Sequence, residues 1–65
     1  MILTVRYDYM SDADFGYLRD NLARHKAKFF RINGSLTVEA EGDMSRLIEV
    51  MKIIAKYKHQ SLTMR

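Results

Sequence analysis

Asn33-Gly34 stands between two runs of strand-forming residues, 27–32 and 35–41. An Asn-Gly pair in that setting marks a type I′ hairpin, because both central residues of that turn take positive φ. One antiparallel pair is thereby fixed in the middle of the chain, and the segments on either side must pack around it. Leu36, Val38 and Ala40 share one face of the second strand. Phe30 and Ile32 are expected on the same core across the turn, which leaves Phe29 pointing out beside Arg31.

Residues 2–9 alternate, with Leu3, Val5, Tyr7 and Tyr9 on one side and Ile2, Thr4, Arg6 and Asp8 on the other. That is the pattern of a half-buried strand. A helix start follows, with Ser11 as N-cap, Asp14 at the capping-box position and Met10 placed to pack on Phe15. Phe15, Leu18, Leu22 and His25 fall on one helical face, and Arg24-His25-Lys26 close the helix with positive charge. Gly16 inside it costs roughly 1 kcal/mol relative to alanine, so a close approach of backbone is expected there. Gly42-Asp43 ends the third strand and caps a second helix, from Met44 to about Lys58. Residues 61–65 alternate again and suffice for a last strand.

The order β-α-β-β-α-β predicts an α+β, ferredoxin-like sandwich, a four-stranded antiparallel sheet of order 4-1-3-2 with two helices on one face. Residues 1–65 are read as one compact domain, since 65 residues leave no room for a second core. This architecture hosts many unrelated activities and supplies none by itself.

A chain this short buries only roughly 60% of the surface it exposes when unfolded, and such domains use disulfides, metals or partner subunits as staples. There is no cysteine, which removes disulfides and thiolate metal sites together. His25 and His59 do not build a structural zinc site alone. Association is the staple that remains. Residues 1–9 lack a segment of signal-peptide character, and no stretch approaches the ~20 apolar residues that span a bilayer. A cytoplasmic protein without membrane contact is expected, in which the Asn33-Gly34-Ser35 glycosylation sequon is idle.

The net charge of +3 is compatible with nucleic acid without demanding it. Arg24, His25, Lys26 and Lys28 gather at one pole and Lys56, Lys58 and His59 at the other, each beside the negative end of a helix dipole. The outward residues of the two central strands are Ile2, Thr4, Arg6, Asp8, Ser35, Thr37, Glu39 and Glu41, with no ring on which a base would stack. Glu39 is expected between Arg6 and Arg31 in a cross-strand charge ladder.

Catalytic patterns are sparse. Asp8, Asp12 and Asp14 match no EF-hand spacing, and helix capping accounts for the latter two. Asp14-Phe15-Gly16 spells a kinase triplet in a chain far too short for a kinase. No nucleophile elbow or phosphate-cradling loop occurs, and a domain of this size is expected to lack a pocket of ~300 Å³. No enzymatic activity, cofactor or small-molecule substrate is expected.

One surplus stands out. A single core stripe on the second helix would use Leu47, Val50, Met51, Ile54 and the stem of Lys58, yet Met44, Ile48, Ile53, Ala55 and Tyr57 are apolar too. Met44, Ile48, Met51, Ile53 and Tyr57 are therefore the candidate protein-contact residues, with Tyr17 at the rim. The expected role is a small protein-binding module, regulatory or inhibitory, that takes another protein or a second copy of itself. The two sheet edges offer strand addition as a further route. The alternatives are nucleic-acid binding through Arg24, Lys26, Lys28 and Arg31, and service as an accessory subunit of a larger enzyme.

Overall fold

A computed structural model describes Met1–Arg65. Strand β1 (Ile2–Tyr7) leads to helix α1 (Asp12–Leu22), which tightens into one 3-10 turn, Ala23–His25. Strands β2 (Lys28–Ile32) and β3 (Ser35–Glu41) form the hairpin, and helix α2 (Met44–Ile54) and strand β4 (Ser61–Met64) complete the order. The fold is a small α+β one, with four antiparallel strands in one sheet and two helices. The sheet order is β2-β3-β1-β4, which is 4-1-3-2 counted from the β4 edge.

Local chemistry explains the boundaries. Ser11 Oγ accepts the Asp14 N–H at 3.2 Å, and Asp43 Oδ1 accepts the Arg46 N–H at 2.9 Å, so each helix starts on a side-chain cap. Asn33 (φ 49°) and Gly34 (φ 90°) both take left-handed backbone, as the type I′ turn requires. Gly34 is doubly constrained, because the Tyr9 ring lies 3.0 Å from where a Cβ would stand. At Gly16, by contrast, nothing lies within 4 Å of such a Cβ. The expected close approach is absent, and nothing in the structure explains that glycine.

The core is Leu3, Val5 and Tyr7 from β1, Leu36, Val38 and Ala40 from β3, Leu18 and Leu22 from α1, and Leu47, Val50 and Ile54 from α2, closed by Met10. Tyr9 is not part of it. The strand stops at Tyr7, and Tyr9 is exposed over the hairpin turn instead.

Both helices end earlier than the pattern suggests. After Leu22 the backbone narrows to the 3-10 turn and Lys26 reverses it in left-handed conformation, with φ 55°. In α2 the Ile54 carbonyl accepts the Tyr57 N–H at 3.2 Å and the Tyr7 hydroxyl at 2.9 Å. Those two donors occupy the oxygen that a continuing helix would offer to Lys58. The helix stops there, and Tyr57 and Lys58 leave its surface.

The facing of β2 is opposite to the expectation. In a two-residue hairpin the residues flanking the turn pair with each other, here Ile32 with Ser35. An odd-numbered residue of β2 then always lies opposite an even-numbered residue of β3. Phe29 pairs with Val38 and Arg31 with Leu36, on the helix side, while Lys28, Phe30 and Ile32 face the open side. Phe30 is 53% exposed and Ile32 70%. Arg31 therefore joins no ladder with Glu39 and Arg6.

Candidate interaction surface

The sheet has two free edges, and the helix above each finishes it differently. At the β2 edge, Phe15 of α1 meets Phe29 edge-on, with centroids 5.9 Å apart and rings at 79°. The Arg31 guanidinium lies over the Phe15 ring at 4.9 Å, donates to the Met10 carbonyl at 3.0 Å and pairs through Nη2 with Asp12 Oδ1 at 2.7 Å. Arg19 covers the same ring at 5.5 Å. Aromatic and charged groups close this edge against each other.

At the β4 edge the flank of α2 is apolar. Met44, Ile48, Met51 and Ala55, spaced four, three and four residues apart, share one flank of that helix and its last turn. Right-handed crossovers turn this flank away from α1 and toward the β4 side of the sheet. Met44 is 46% exposed and Ile48 44%. Below them, β4 pairs Leu62 with Val5 and Met64 with Leu3, so both side chains point to the helix side. Leu62 remains 37% exposed, and Met64 is partly buried against the core. Together these groups form an apolar seam beside an unpaired strand.

The structure divides the candidate contact residues. Met44, Ile48 and Met51 lie on the seam. Ile53 and Tyr57 do not: Ile53 is on the opposite flank and Tyr57 lies beyond the end of the helix next to the buried Tyr7, and both pack against the core, as Met51 does in part. Sequence patterning missed Leu62 and Met64. The register of β4 against β1 identifies them, and that pairing follows from the element order rather than from any local motif.

The candidate nucleic-acid residues also separate. Arg24, Lys26 and Lys28 are exposed near the end of α1, whereas Arg31 is held on the helix side by Asp12, Phe15 and the Met10 carbonyl. Lys26 and Lys28 border an open hollow of about 350 Å³ with Arg46, but Glu39 and Glu41 line it too. On the open face the ring that points outward is Phe30, not Phe29.

Two further hollows lie on the surface. One of about 320 Å³ is lined by Ile2, Thr4, Glu39, Thr63 and Arg65 on the open face. Another, of about 370 Å³, runs from Tyr9 and Ser11 to Lys56 and Lys58, where α1 begins and α2 ends. Hollows of this volume exceed what the length suggested, since shallow surface relief needs no large core around it. At the floor of the last, burial raises the Tyr7 phenol to about 12, with the nearby Tyr57 adding to the shift. His59 meets the Tyr7 ring edge-on at 6.5 Å. Asp12 is committed to Arg31 and Asp8 lies 4.0 Å from Arg6, so the three aspartates do not converge. No three His, Cys, Asp or Glu side chains gather closely enough to hold a metal ion, and no helix is long and apolar enough to cross a membrane.

No protein-family model, curated protein or solved structure matches the chain.

Proposed function

We propose that the chain is a small, non-enzymatic protein-binding module of the ferredoxin-like class, regulatory or inhibitory in role, whose contact surface is the seam between α2 and β4. One observation carries this reading. Met44 and Ile48 stand almost half exposed above a free strand edge whose own Leu62 is also exposed. Neighbouring exposed hydrophobes beside unpaired backbone donors and acceptors form a surface suited to strand addition and side-chain burial at once. Methionine adds adaptability, because its unbranched chain repacks around different shapes. Ile48→Glu tests the reading against Phe30→Glu at the other edge. Affinity capture from native lysate is expected to lose its bound protein with the first variant and keep it with the second. Equal capture by both would refute it.

Nucleic-acid binding is the second reading, favoured by the exposed Phe30 ring on the same face as Lys28. Glu39 beside them repels phosphate and ranks it lower. A gel shift at low salt with mixed DNA and RNA decides it: a complex that weakens with salt and with Phe30→Ala supports it, and no complex removes it.

A further inference from the structure

Building on the protein-binding reading, we infer that the partner is a second copy of this chain, joined antiparallel through β4 about a two-fold axis at Thr63. Ile2 and Arg65 exchange both backbone bonds, the Ile2 N–H to the Arg65 oxygen at 2.7 Å and the Arg65 N–H to the Ile2 oxygen at 2.8 Å. Such pairs alternate along an antiparallel ladder. Ser61, Thr63 and Arg65 therefore direct their backbone groups to β1, and Leu62 and Met64 direct theirs outward. A second β4 centred on Thr63 sets Leu62 opposite Met64 of the other copy, and Met64 opposite its Leu62. Each of those pairs exchanges two N–H to carbonyl bonds, so no outward donor or acceptor between Ser61 and Met64 is left over.

The side chains match in the same register. On the helix side Leu62 meets Met64, apolar against apolar. On the open side Thr63 meets Thr63 and Ser61 meets Arg65, so no like charges are opposed. The flank of α2 that carries Met44 and Ile48 lies on the same face of the sheet as Leu62 and Met64, so the two-fold axis turns the two copies of that flank toward each other. Met44 and Ile48 are the exposed groups that would meet there. An interface of one four-residue strand and one helix flank is smaller than a standard stable one, which makes it weak and concentration-dependent. At the β2 edge the equivalent helix flank is already occupied by the pairing of Asp12, Arg31 and Phe15, and the exposed Phe30 and Ile32 point to the other face of the sheet.

Sedimentation velocity from about 10 μM to 1 mM tests the proposal, with circular dichroism confirming that each variant is folded. The wild-type chain is expected to pass from monomer to dimer over this range. Ile48→Glu and, independently, Leu62→Lys are expected to raise the midpoint concentration at least tenfold, while Phe30→Glu leaves it unchanged. A monomer at every concentration would overturn the proposal, and so would a dimer indifferent to both seam variants. If the monomeric chain still captures a different protein through Ile48, the second copy is refuted and the protein-binding reading stands. Loss of both removes both.

Discussion

The two halves of the chain repeat one strand-helix-strand unit, yet they finish their outer edges in opposite ways. Leu18 of α1 and Leu47 of α2 hold corresponding places at the centre of the core, and neither is exposed. Three residues before each stands Phe15 or Met44, and one residue after each stands Arg19 or Ile48. In the first half those positions belong to a closed set, in which Phe15 meets Phe29 and is capped by Arg19 and Arg31. In the second half the same positions are apolar and open. Interior places are filled alike by any pair of helices on a sheet, so the rims, not the core, set the two halves apart.

The largest expected effect tests whether the halves are equivalent inside. Leu18→Ala and Leu47→Ala should each cost about 3 kcal/mol in urea denaturation, because each leaves a cavity in a fully buried place. Values differing by more than about 1 kcal/mol would show that one half dominates the core. The next tests the rims in dilute monomer. Phe29→Ala should cost about 2 kcal/mol, since its ring is partly buried against Phe15, whereas Ile48→Ala should stay within about 0.5 kcal/mol. Comparable losses would mean that the seam already belongs to the monomer's core.

A smaller effect belongs to Tyr7, which joins the end of α2 to β1. Its phenol titrates near 12 in the folded chain and near 10 when unfolded. Between those values the unfolded chain has released a proton that the folded one still holds, so rising pH favours unfolding. The stability supplied by the neutral, buried phenol is full below pH 10 and is lost progressively up to pH 12. Thermal melts at pH 8, 10 and 11.5 should show that decline, and it should be shallower in Tyr7→Phe. That variant should lose about 1 kcal/mol near neutral pH, with the hydrogen bond to Ile54 gone.

Element order, both helix caps and the hairpin were legible in the residues because each rests on local chemistry: Ser11 and Asp43 as caps, Asn33-Gly34 as turn, alternation in β1 and β3. The facing of β2 was also fixed by the turn, but only through pairing parity, and Phe29 and Phe30 are adjacent rings that local hydrophobicity does not tell apart. Arg31 followed the same error from the helix side to the open side. The end of α2 was not legible at all, since it depends on the Tyr7 hydroxyl, forty-seven residues away from Ile54. Of the contact surface, Met44, Ile48 and Met51 showed in the helical spacing. Leu62 and Met64 emerged once β4 was set against β1, and Ile53 and Tyr57 moved inward once the helix was seated.

Backbone amides at the two edges offer the most direct trial of their difference, within one molecule. Leu62 and Met64 point their N–H groups away from the sheet at the β4 edge, and the hairpin pattern turns those of Phe29 and Arg31 outward at the β2 edge. Hydrogen exchange should be followed at these four amides while the concentration is raised. Progressive slowing at Leu62 and Met64, with Phe29 and Arg31 unchanged, is the expected result. Slowing at Phe29 and Arg31 instead, or the same behaviour at both edges, would contradict the proposal that the chain associates through β4 and α2.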